Sequence, residues 1–134
     1  MVEWHIDNSV IIKYQDRPQQ IVDCSYEDGN QGCNGGSLQA AFRYAAREGL
    51  AREKQYPYRG KKGHCHHRWG TARVRPRRWA VLPAHDEVAI ERALANIGPL
   101  AVAVNAAPIT FQLYRIRRGL NTCGVSNMAT YVEL

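Results

Sequence analysis

The side chains that could do chemistry in this chain of 134 residues are four cysteines and five histidines. Cys24 and Cys33 flank a polar turn, Cys65 sits within Gly63-His64-Cys65-His66-His67, and Cys123 precedes Gly124-Val125. A thiolate is both a nucleophile and a metal ligand, but it needs a nearby base or positive charge to form, and acyl chemistry on it needs oxyanion donors. Nothing in the sequence places a histidine beside Cys33, so Cys33 is not assigned as a nucleophile. The histidine run carries zinc-type donors, yet structural zinc sites separate their ligands by roughly two to five residues so that they converge on a tetrahedron. Adjacent histidines do not converge in this way; they read as surface residues, with no metal and no other cofactor implied. Four cysteines allow three pairings, and the residues alone do not choose among them.

These groups depend on a few elements for their placement. Pro18 suits the first turn of a short helix ending near Cys24. Glu27, Asp28, Gly29 and Asn30 are turn formers. Asn34-Gly35-Gly36-Ser37 then leads into a helix with Ser37 as N-cap, Leu38, Ala41, Phe42 and Ala45 at helical spacing, and Gly49 just past its end. Two adjacent glycines leave bare main chain, which an extended peptide could approach closely. Residues 55–63 read as a surface connection to Cys65. A further helix starts at Asp86, carries Ile90, Ala93, Leu94 and Ile97 as its apolar stripe, and ends at Gly98-Pro99. Leu100–Asn105 reads as a strand buried on at least one face, and Val2–Tyr14 as a helix tail running into an extended stretch.

Gln20-Ile21-Val22-Asp23-Cys24 followed by Gly32-Cys33-Asn34-Gly35-Gly36 resembles the papain-like cysteine peptidases of the cathepsin type. Tyr56-Pro57-Tyr58, Cys65, Gly98–Val104, Phe111–Tyr114 and the tail containing Cys123-Gly124-Val125 and Met128-Ala129-Thr130 match the same family in order. The resemblance implies an α+β fold, a partial papain-like domain. Residues 1–60 would be mainly a remnant of the helical left domain, 61–114 part of the β-barrel right domain, and 115–134 the C-terminal tail. It also implies a Cys24–Cys65 disulfide, with Cys33 and Cys123 left unpaired. Asn34, Gly35 and Gly36 would hydrogen-bond an extended substrate, and Ser37, Leu38 and Ala103 would line an apolar pocket suited to Leu, Val or Phe.

In that family a cysteine attacks the peptide carbonyl, a histidine protonates the leaving amine and an asparagine orients the histidine. The segments that would carry all three are absent here. The nucleophile motif would stand upstream of Met1, and the histidine and asparagine segments would fall in a deletion near Tyr114–Ile116. No residue is therefore assigned as catalytic, and the 134 residues are expected to be inactive as a peptidase. The partners implied are a peptide, a protein substrate or an inhibitor, and the compartment is lysosomal or extracellular, although the N-terminus has no signal-peptide pattern.

A composition of 45% apolar and 22% charged residues excludes a disordered or membrane-spanning chain. The formal net charge of +6 is concentrated in residues 68–79, where arginines interleave with Trp69 and Trp79. This stretch is a candidate polyanion-binding patch; with no nucleic-acid-binding fold alongside it, nucleic acid is not the expected partner.

Overall fold

The computed structural model describes residues 18–52, 54–66, 73–113, 124 and 126–133. The chain divides between Arg78 and Trp79 into two compact units. The calls on Val2–Tyr14, His67, residues 68–72 and Cys123 lie outside the described residues.

The first unit is built around two helices, α1 (Pro18–Cys24) and α2 (Leu38–Glu48), with a turn of 3-10 helix at Gly32–Asn34 between them. Ser37 caps α2 by accepting from the Ala40 N–H (3.1 Å), and Gly49 ends it with a φ of 74°, which costs a glycine little. Strand β1 (Leu50–Ala51) follows directly and pairs antiparallel with β2 (Arg73–Val74).

The face that α2 buries is displaced from the expected stripe. Ala40, Tyr44 and Ala45 are buried, whereas Leu38, Ala41 and Phe42 are only half-buried. The cause is the polar underside of α1. Gln20 is buried and donates to the Tyr44 hydroxyl (2.9 Å) and to the Gly49 carbonyl (3.0 Å), while its own oxygen accepts from the Ala51 N–H (2.8 Å). A buried amide must have its hydrogen bonds met, so the residue facing it is an aromatic with a hydroxyl rather than an aliphatic.

The second unit contains a three-stranded sheet in the order β3-β5-β4, formed by Arg78–Val81, Ala129–Glu133 and Leu100–Val102, with helices α3 (Glu87–Asn96) and α4 (Ile109–Gln112). Asp86 caps α3, accepting from the Ala89 N–H at 2.8 Å. Strands β4 and β5 run antiparallel with Leu100 opposite Tyr131 and Val102 opposite Ala129.

Two expectations need correction here. The strand stops at Val102 because its partner Ala129 opens β5; before it the chain turns, with Asn127 N–H bonded to Gly124 O, so Ala103–Asn105 meet no ladder partner among the described residues. Of the expected α3 stripe only Ala93 is buried, and Leu94 and Ile97 are exposed. Ten helical residues extend about 15 Å, whereas three residues of β4 extend about 10 Å, too short to cover the whole stripe.

Candidate functional site

The Asn34–Ser37 segment is held in shape from beneath by one buried side chain. Asn30 donates through Nδ2 to Ser25 Oγ (2.8 Å), and its Oδ1 accepts from the Ser37 N–H (2.9 Å). Ser25 is itself buried and donates to the Ile21 carbonyl of α1 (2.6 Å), so the loop is tied to the helix through a chain of hydrogen bonds. The Gln31 N–H closes the turn on the Gly35 carbonyl (2.8 Å).

The two glycines serve different needs. Gly35 has a φ of 121°, where a side chain is disfavoured, although a Cβ there would meet open space. A Cβ on Gly36 would instead fall on Asn30 Oδ1. The outcome is a fixed loop whose outer face, from Cys33 to Ser37, is exposed. Among the described residues no hydrogen bond takes up the Gly36 N–H or C=O. Leu38 follows half-buried at the start of α2, so Asn34, Gly35, Gly36, Ser37 and Leu38 form one continuous surface strip. Ala103 is exposed and belongs to the second unit.

Cys24 and Cys65 are joined in a disulfide with an S–S distance of 2.09 Å. Cys33 is a free, exposed thiol, and no described residue hydrogen-bonds to its sulfur. His64 and His66 are exposed, and no group of three or more metal-capable side chains occurs among the described residues.

Three residues to which the sequence reading assigned no role support the disulfide. Gln19, buried on α1, donates through Nε2 to Asp23 Oδ1 and to the Lys61 carbonyl (both 2.8 Å), and accepts from the Arg59 N–H (2.9 Å). Asp23, one turn on, also accepts from the Gly63 N–H (2.7 Å) and from the Tyr56 hydroxyl (2.9 Å). Tyr56 is buried and in turn accepts from the His66 N–H (3.4 Å). A signal was present in the sequence: Gln19 and Asp23 stand four apart, hence on one face of a helix, and a paired amide and carboxyl there need long-range partners if buried.

Burial, reinforced by donation to Asp23, pushes the Tyr56 hydroxyl up to about 12 from an ordinary value of 10.0. Because the folded value is raised, the protonated phenol stabilises the fold fully below pH ~10, and that contribution is lost as the pH rises from ~10 towards ~12. Denaturant titrations across this window should show a steeper alkaline loss of stability for the wild-type chain than for Tyr56→Phe, which has no proton to lose.

A helical unit with a disulfide-tied loop, a fixed Gly-Gly segment and a separate unit with a small antiparallel sheet together define a partial two-part α+β peptidase fold. The family model for papain family cysteine protease matches residues 11–132, and the chain belongs to that family. Its relatives are of the cathepsin L type. It is 41% identical to cathepsin L1 of Drosophila melanogaster over 97 residues, covering 72% of this chain and 26% of that one. It is 40% identical to procathepsin L of Rattus norvegicus, again over 97 residues, with 72% and 29% covered.

Among solved structures it is similar to digestive procathepsin L 3 of the Tenebrio molitor larval midgut, with a TM-score of 0.75, 23% identity, and 87% of this chain and 54% of that one covered. It is also similar to the Carica candamarcensis cysteine protease CMS1MS2 in complex with E-64, with a TM-score of 0.72, 20% identity, and 86% and 75% covered. The family and fold expected from the Cys24–Gly36 motif are thus borne out, and the chain spans less than a third of the length of the curated relatives it matches.

Proposed function

We propose that this chain carries one wall of a peptidase cleft and, as these 134 residues, binds an extended peptide without hydrolysing it. The observation that carries the reading is the exposed, unclaimed Gly36 main chain on a loop fixed by Asn30. A peptide laid along it in extended form gains a donor and an acceptor at β-pairing geometry, and a loop held in one shape loses little entropy when it binds. Ser37 and Leu38, beside Gly36, offer a small and an apolar side chain to a neighbouring Leu, Val or Phe of the peptide.

Hydrolysis is a separate requirement. A peptide bond is cleaved by a thiolate with a base within hydrogen-bond reach and donors for the oxyanion, and the free thiol of Cys33 meets no imidazole among the described residues. In a longer chain supplying those groups, the same wall would serve thiol-dependent peptide hydrolysis. The Cys24–Cys65 disulfide supports an oxidising compartment, lysosomal or extracellular.

The test uses a Leu-containing extended peptide and its analogue N-methylated at the amide that would pair with Gly36 C=O. Amide chemical-shift changes centred on Gly35–Leu38, no release of cleavage product, and an affinity about tenfold weaker for the N-methylated analogue are expected, the equivalent of one main-chain hydrogen bond. Equal affinity for the two peptides would overturn the binding mode. Turnover by the 134 residues would overturn the noncatalytic part.

A further inference from the structure

The first unit presents a second cluster of charge, separate in sequence from the 34–38 strip and from the 68–79 run. Within eight residues, Arg59, Lys61 and Lys62 are exposed and interspersed with Gly60 and Gly63, and the exposed His64 and His66 follow. Among the described residues none of these three cations pairs with a carboxylate. Asp23, around which the loop is wrapped, is buried, and its oxygens are taken up by Gln19, Tyr56 and Gly63.

The loop is also fixed at every turn. Its main chain is anchored at Arg59 and Lys61 by Gln19, at Gly63 by Asp23, at His66 by Tyr56 and at Cys65 by the disulfide. One of the lysines is itself positioned: Lys62 Nζ lies 4.1 Å from the centre of the Tyr26 ring, a cation–π contact. Three cations that no described carboxylate pairs, on a loop held by four main-chain hydrogen bonds and a disulfide, are preorganised for a ligand with several anionic groups, since less main-chain ordering entropy remains to be lost.

We propose that residues 59–62 form a binding site for a sulfated polysaccharide, with Arg59, Lys61 and Lys62 taking the sulfate groups. The disulfide decides between polyanions. It closes the loop only where thiols are oxidised, outside the reducing cytosol and nucleus where nucleic acids are the abundant polyanions, and in that setting sulfated polysaccharides are the multivalent anions on offer.

The test measures binding of a heparin hexasaccharide to the 134-residue chain as a function of salt, alongside single-stranded DNA of matched charge. For Arg59→Ser/Lys61→Ser/Lys62→Ser the expected result is at least a tenfold loss of affinity for the saccharide near physiological salt. The slope of log affinity against log salt should become shallower by about 2, as counterion release by the lost contacts disappears. Lys61→Arg/Lys62→Arg, which keeps the charges, should bind as the wild type does, separating loss of charge from loss of fold. Unchanged affinity in the serine variant, a loss seen instead in Arg75→Ser/Arg77→Ser, or tighter binding of the DNA than of the saccharide would each overturn the proposal.

Discussion

Asp23→Ala should destabilise the first unit by about 3 kcal/mol or more, among the largest effects of any single substitution in it. The substitution removes an acceptor that serves three donors, Gln19 Nε2, the Tyr56 hydroxyl and the Gly63 N–H. Leaving a buried donor unpaired costs about 1–3 kcal/mol, and three are affected, two of them on side chains that are themselves buried. Asp23→Asn should cost less than Ala, because its Oδ1 keeps the Gln19 and Gly63 donors and its Nδ2 can donate to the Tyr56 hydroxyl, whose proton then turns to the His64 carbonyl. The measurement is urea unfolding together with hydrogen exchange at the Gly63 and Arg59 amides, both of which should lose protection. Protection at Gly63 equal to that of the wild type would show that the carboxyl does not hold the loop.

Loss of the Cys24–Cys65 disulfide, by reduction or as Cys24→Ser/Cys65→Ser, should cost a similar amount. The bridge joins residues 41 apart, and the chain-entropy model assigns a loop of that length about 4 kcal/mol. Domains are commonly stable by only about 5–15 kcal/mol in total, so the reduced chain should unfold at markedly lower urea than the oxidised one. The two perturbations act on the same 55–66 segment and should therefore not add. Once the disulfide is broken the loop can leave Asp23, and Asp23→Ala should then cost measurably less than it does in the oxidised chain. Strict additivity would mean that the carboxyl network and the bridge stabilise separate parts of the unit.

What could be read from the sequence follows from how local each signal is. The α2 helix was legible at both ends, because a serine cap and a terminal glycine act through neighbouring main chain, and both act as expected. The same holds for α1 from Pro18 and for the Asp86 cap of α3. The family was legible because the cysteine and glycine spacing around Cys33 is specific. What escaped was the polar interior. Gln19, Gln20 and Asp23 look like a solvated helix face, and only partners about 24–42 positions away turn them into a core.

Asn30 was read as a turn former, whereas it is buried and determines why Gly36 is glycine, a role fixed by a side-chain contact that no periodicity encodes. The α3 stripe failed for the converse reason. Apolar spacing reports what a helix can bury, and Leu94 and Ile97 show that burial also needs a surface of matching length.

The three bonds of Gln20 make that side chain a ruler for the chain. They touch Tyr44, Gly49 and Ala51, so they set how many residues separate the middle of α2 from the first strand. A single residue inserted between Tyr44 and Gly49 would turn the helix by about 100°, and one glutamine could then no longer reach all three points. The number of residues from 45 to 48 is thus fixed by one side chain on another helix, whatever each of those residues packs against.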